Sequence, residues 1–169
     1  ACATVSADKS TTPAANAGVQ IVQLTNRLRV DINGQLFTEY YFKDVPRPFC
    51  YPLLGPDNLP LMRNWPMKDV PGEDHDHKHH RSLWFTHGSV NGLDFWSEDK
   101  DFGKIVHDDF VQVASGKDAG VIKTRNKWVA KDGTVVCTDE RTLRIYNRPA
   151  TERLLDFEIL GIRSIQNGT

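Results

Sequence analysis

The sequence predicts an all-β fold, an antiparallel β-sandwich, on three observations. From Val19 onward the apolar residues come in short alternating runs rich in β-branched and aromatic types, which is how strands with one buried face read. Asn33-Gly34, Asn91-Gly92 and Asp132-Gly133 stand between such runs, and these dipeptides tolerate the left-handed backbone that tight hairpin turns require. No segment sustains a 3.6-residue apolar period, so little helix is expected.

Residues 1–18 are small and polar with no periodicity, and they read as a leader remnant and linker. Ala1-Cys2-Ala3 fits the end of a cleaved signal, or a lipid-attachment site with Cys2 as the first mature residue. A periplasmic or otherwise extracytoplasmic setting follows, with a lipid anchor through Cys2 as one form of it. Residues 19–169 then form the N-terminal part of a single sandwich domain. Val19 to Ile32 and Gln35 to Phe42 flank Asn33-Gly34 as the first hairpin. Seven prolines between Pro46 and Pro71 break up the next stretch, because proline removes a ladder donor and cannot sit in a central strand for long. This stretch is expected to wrap a sheet edge, to turn at Gly55-Pro56-Asp57-Asn58, and to deliver Arg47, Tyr51, Arg63 and Trp65 towards the site.

Glu73 to Glu98 holds five of the six histidines together with Arg81, Trp84, Trp96, Asp94 and Glu98. Imidazole titrates near neutrality, binds metals and hydrogen-bonds to substrate oxygens, so its concentration here marks a polar site. A two-residue loop at Asn91-Gly92 would set Val90 opposite Leu93, His87 opposite Trp96 and Phe85 opposite Glu98. One face would then carry His79, Arg81, Phe85 and His87 with Asp94, Trp96 and Glu98. The other would carry His80, Ser82, Trp84 and Thr86 with Leu93 and Phe95, and here Trp84 and Phe95 read as core. Arg81, always charged, must either pair with Glu98 or Asp94 or point into a cleft to meet a ligand.

Beyond this hairpin, Ile105 to Ala114 reads as a strand and Ser115 to Gly120 as a turn. Asp132-Gly133 should pair Trp128 with Cys137 and Ile122 with Leu143 on a core face. Lys123, Arg125 and Lys127 should face Thr142, Glu140 and Thr138 on a solvated one. A last strand after Arg148-Pro149 turns Leu155, Phe157 and Ile159 inward. Gln166 to Thr169 looks like a turn whose returning strand is absent, so the chain reads as a sandwich incomplete at its C-terminus. Asn167-Gly168-Thr169 also fits a glycosylation sequon.

The chain of 169 residues, 39% hydrophobic and 25% charged, is long enough for one core. Its net charge of −1 gives no electrostatic footprint for nucleic acid. No apolar run approaches the roughly 20 residues of a spanning helix. Cys2, Cys50 and Cys137 lie too far apart for a zinc ribbon or redox motif, and Cys50 and Cys137 read as buried thiols.

The string H-H-R-S-L-W-F-T-H-G-S-V-N-G-L-D-F-W, with P-F-C-Y-P-L-L-G-P-D upstream and D-E-R-T-L-R-I downstream, resembles a soluble bacterial family labelled methane oxygenase PmoA. The resemblance runs from about Leu24 to Ile159. It implies a β-rich extracytoplasmic protein near carbohydrate metabolism.

Three functional expectations follow. The first is a site that binds or processes a sugar-like small molecule. Trp96 would stack on a pyranose; Arg81, Asn91 and Asp94 would hold its polar groups; and His79, His80, His87 and Glu98 would supply acid and base, in the style of galactose-mutarotase-like supersandwiches. The second is a divalent metal on His75, His77 and His79, whose alternate spacing would align them on a strand, with a carboxylate completing a non-haem oxygenase-like set. The third is a non-catalytic binding module, which the lack of a carboxylate within reach of His87 would favour.

Overall fold

The structure is a computed structural model and describes residues 17–164. The expected leader with its lipid attachment at Cys2, up to residue 16, and the expected turn and sequon at Gln166 to Thr169 lie outside the described residues.

Among the described residues the only helical segment is a 3-10 turn at Pro56–Asn58, where the Gly-Pro-Asp-Asn turn was expected. Two antiparallel sheets face one another. The first contains β1 (Val19–Gln23), β2 (Arg27–Ile32), β3 (Gln35–Tyr41), β4 (Phe49–Leu53) and β5 (Leu83–Trp84), in that spatial order. A separate small hairpin is made of β6 (Ser89–Val90) and β7 (Leu93–Asp94). The second sheet has the order β11-β10-β9-β8, with β8 at Lys104–Ala114, β9 at Ala119–Val129, β10 at Val135–Tyr146 and β11 at Leu154–Ser164.

The second sheet matches the expected registers. Trp128 faces Cys137, Ile122 faces Leu143, and Lys123, Arg125 and Lys127 face Thr142, Glu140 and Thr138. The alternation works because every second residue of β9 is buried from Gly120 to Trp128. Leu155, Phe157 and Ile159 of β11 turn to the same side but stay half-buried, since β11 is an edge strand.

Three expectations need correction. The run from Val19 to Ile32 is not one strand: the chain reverses after Gln23, with the Leu24 amide bonded to the Arg27 carbonyl at 2.8 Å, so β1 and β2 form their own hairpin. The proline-rich stretch does supply an interior strand, because β4 lies between β3 and β5. Pro52 is tolerated there because β5 pairs only with Phe49 and Cys50, and the β3 register shifts between Thr38 and Tyr40. Finally, the central hairpin is paired only at Ser89 with Asp94 and Val90 with Leu93. Its first arm diverges at Thr86 and His87, and Leu83–Trp84 joins the first sheet instead.

Two apolar clusters result. The main one lies between the sheets, with Leu28, Val30, Phe37, Tyr40 and Cys50 against Ile122, Leu143 and Ile145. The second packs Phe95 and Leu93 of the small hairpin region onto Ile105, Trp128 and Cys137. Phe95 and Trp128 are fully buried with rings 5.0 Å apart, each contributing roughly 1.5–3 kcal/mol by burial. Gly103 makes this possible, since a Cβ there would lie 2.4 Å from the Phe95 ring.

Candidate functional site

The site forms where the chain passes from the first sheet into the small hairpin. Asn91 and Gly92 both take left-handed backbone, φ 53° and 77°, so the turn closes in two residues as a type I′ hairpin does. The Thr86 hydroxyl donates to the Phe95 carbonyl at 2.8 Å, and the Phe95 amide donates to Gly88 at 3.2 Å. Asp94 then accepts the Trp96 amide at 2.7 Å and the Ser97 amide at 3.1 Å, and bonds the Ser97 hydroxyl. Burial alone would raise this carboxyl, but those bonds and nearby Arg47 hold it below the usual carboxylate range. The chain is thereby folded so that Trp96 returns beside Trp84, ring centres 5.0 Å apart.

These two indoles, with Met62 and Phe85, form the apolar walls of a cleft of about 380 Å³, and Arg63, His80, Ser82 and Thr86 add its polar groups. His80, Ser82, Trp84 and Thr86 are the face expected opposite His79, Arg81 and His87, with Trp84 read as core. Trp84 is therefore a half-buried cleft wall and not a core residue; only Phe95 of that pair is core. The reason is the early end of the hairpin, which leaves Trp84 on β5 with no sheet above it.

His77, His79 and His80 pack together beside the indoles, with ring centres 4.5–5.8 Å apart. His79 and His80 also lie 6.1 and 5.9 Å from Trp96. Partial burial, reinforced by neighbouring imidazoles and by Arg47 for His79 and Arg63 for His80, lowers both rings below the ordinary imidazole value. Both are neutral at pH 7 and can accept a proton.

Below them lies an ion cluster. Arg81 grips Glu98 in a bidentate pair, Nε to Oε1 at 2.8 Å and Nη2 to Oε2 at 2.6 Å. Arg47 is fully buried and reaches Glu98 and the His79 and Ser97 carbonyls only at 3.4 Å, while its Nε has no partner. Its guanidinium lies 4.9 Å from the centre of the Trp84 ring. Burial pulls Arg47 down to about 10 despite the attraction of Glu98, so it keeps its charge at neutrality. Arg81 thus takes the paired alternative and Glu98 is committed to two arginines.

Other expected site residues lie apart. His87 is exposed and its Nδ1 bonds the Ser89 carbonyl at 3.2 Å; it is not paired with Trp96, and among the described residues no carboxylate hydrogen-bonds to it. Asn91 is an exposed turn residue. His75 stacks on Trp65 at 4.0 Å and reaches Asp69 at 3.0 Å. His75, His77 and His79 do not align, because this segment turns, with His77 at φ 38° and the His80 amide bonded to His77 at 2.9 Å. Among the described residues no group of three or more His, Cys, Asp or Glu is placed to hold a metal ion. The Pro-rich segment does deliver Arg63, held by Asp76 at 2.8 Å, while Tyr51 and Trp65 act through the loop. Glu73 accepts bonds from Asn64 and Trp65, and Tyr51 bonds Asn64.

Sequence reasoning missed Met62, and it placed Ser82 on the face opposite Arg81 without giving it a role. It also missed a buried polar layer between the sheets, where Asp139 accepts Arg141, Asn126 and Trp128 at 2.6–2.9 Å. The signal was present, since Asn126 and Asp139 share the inward parity of Trp128 and Cys137. A wider depression of about 580 Å³ on the second sheet is lined by Arg125, Glu140 and Arg163 among others and contains no aromatic ring or histidine.

The molecule is an antiparallel β-sandwich with an indole-walled, histidine-bearing cleft at the junction of sheet and hairpin. The chain belongs to the family of unknown function DUF6807, whose model matches residues 27–161. No curated protein and no solved structure matches it. Among the described residues no helix is long and apolar enough to cross a membrane.

Proposed function

We propose that this protein binds a carbohydrate-type small molecule in the cleft between Trp84 and Trp96, with His79 and His80 as the groups able to move a proton. The observation that carries the reading is the indole pair itself. Trp96 is 42% exposed although it is large and apolar, and it stands against a second indole with donors around the rim. Flat rings of this kind suit the apolar face of a pyranose, and convergent polar groups fix its orientation. The leader-like composition of residues 1–18 supports an extracytoplasmic setting.

Catalysis by His87 with Glu98 has no support in the geometry, since Glu98 is neutralised by Arg81 and Arg47 and His87 bonds elsewhere. This favours binding, or turnover through His79 and His80, over acid and base work by His87 and Glu98. The metal-dependent, oxygenase-like reading would draw on His75, His77 and His79, which do not align, and among the described residues no group of three or more His, Cys, Asp or Glu is placed to hold a metal ion. Calorimetric titration of D-glucose, D-galactose and D-glucuronate tests the first reading. Binding by the wild type that falls at least about tenfold in Trp96→Ala, as loss of a stacking contact of about 1.4 kcal/mol implies, supports it. Binding untouched in both Trp84→Ala and Trp96→Ala would refute it.

A further inference from the structure

Ser82 is the one side chain of the cleft whose polar group is buried and left unmatched. The residue is 5% exposed, its Oγ has no hydrogen-bond partner, and it lines the cleft together with His80 and Trp84. Its backbone is left-handed at φ 59°. An unmatched buried hydroxyl and a left-handed non-glycine residue each lower stability, and glycine at this position would remove both penalties. A serine here makes physical sense if its hydroxyl meets something that enters the cleft.

The remaining polar groups say what that is. Arg63 offers only donors. The Thr86 hydroxyl proton is already given to the Phe95 carbonyl. His80 carries one donor and one acceptor when neutral. No Asp, Glu, Asn or Gln lines the cleft, and Asp76, which pairs with Arg63 and His77, stands outside it. Neutral sugar hydroxyls are held firmly when each can donate as well as accept, and this cleft is short of acceptors. A carboxylate, which only accepts, matches it better. We propose that the cleft takes a hydroxylated ring bearing a carboxylate, with the acid group received by the Ser82 hydroxyl and Arg63 and the ring placed against Trp84 and Trp96. This rests on the ring-binding reading above.

The test titrates the whole chain with D-glucuronate and with D-glucose, following tryptophan fluorescence, for wild type, Ser82→Ala and Ser82→Gly, and records ligand-free melting of all three. D-glucuronate should bind wild type at least about tenfold more tightly than D-glucose, given the greater strength of hydrogen bonds to charged groups. Both variants should lose about tenfold for D-glucuronate while melting no lower than wild type, and Ser82→Gly should melt no lower than Ser82→Ala. Equal affinity for the two sugars, or unchanged D-glucuronate binding in both variants, overturns the proposal and leaves ring binding standing. Melting points well below wild type in both variants would show a structural hydroxyl and overturn it as well. If wild type binds neither sugar, the ring-binding reading fails and the proposal falls with it.

Discussion

At the scale of single residues, Arg81 and Asp139 show how differently a paired charge can be placed, the first partly exposed and the second buried. Arg81 has a bidentate carboxylate partner, so its role is to fix Glu98 against β4 and the hairpin. Arg81→Met should lower stability by about 3 kcal/mol or more, since it leaves Glu98 with only the one long contact to Arg47, while leaving sugar affinity within about twofold. Denaturant melts and a titration separate the two effects. Asp139→Ala should cost about 3–5 kcal/mol by stranding the buried Arg141, which chemical denaturation would read directly. The histidines give a pH dependence whose sign is fixed. His79 and His80 have folded values below the ordinary one, so the unfolded chain binds protons more readily. The stability they contribute is therefore fully present above the unfolded value of about 6.5 and is lost as pH falls through the folded values. The melting temperature should drop between pH 7.5 and 5.5, and His79→Asn/His80→Asn should flatten that slope. His107, lowered by burial in the same direction, will keep some of it.

At the scale of elements, hairpins closed by an Asn-Gly or Asp-Gly turn are legible in the sequence, whereas the β1-β2 reversal, which has no such dipeptide, and the pairing of β5 with β4 are not. The β9-β10 hairpin follows from Asp132-Gly133 and strict alternation, so every named pair could be read off. Asn91-Gly92 likewise gave the turn and the Val90 to Leu93 pair. What the sequence did not carry was the length of that hairpin, because Leu83 and Trp84 had a competing partner in Phe49 and Cys50, some thirty residues upstream. The consequence is that the face expected to hold Trp84 as core, with His80, Ser82 and Thr86, lines the cleft. Arg63 was foreseen only as a loop residue near the site. The close approach of Gly103 to Phe95 is a feature of the same element. Gly103→Ala should cost about 1–3 kcal/mol through overpacking against a fully buried ring. Gly92→Ala, where a Cβ would meet nothing but φ is 77°, should cost about 1 kcal/mol from backbone strain alone. Thermal melts of the two variants would rank them in that order.

At the scale of the whole molecule, two packed sheets provide a rigid support, and the cleft is built from what they leave over. The second sheet and the inner face of the first hold the core. The site is carried by β5, the small hairpin and the loop from Met62 to Ser82, elements with few backbone hydrogen bonds of their own. Such segments open more readily than core strands, which suits a place that must admit and release a ligand. The sequence itself supplies the most direct test, because its four tryptophans divide by position: Trp84 and Trp96 wall the cleft, Trp65 stacks on His75, and Trp128 is buried in the core. Indole resonances followed by nitrogen-15 NMR during addition of D-glucuronate should show Trp84 and Trp96 shifting together along one binding curve while Trp65 and Trp128 stay in place. Shifts confined to Trp65 or Trp128, or none at all up to saturating sugar, would contradict the cleft as the ligand site.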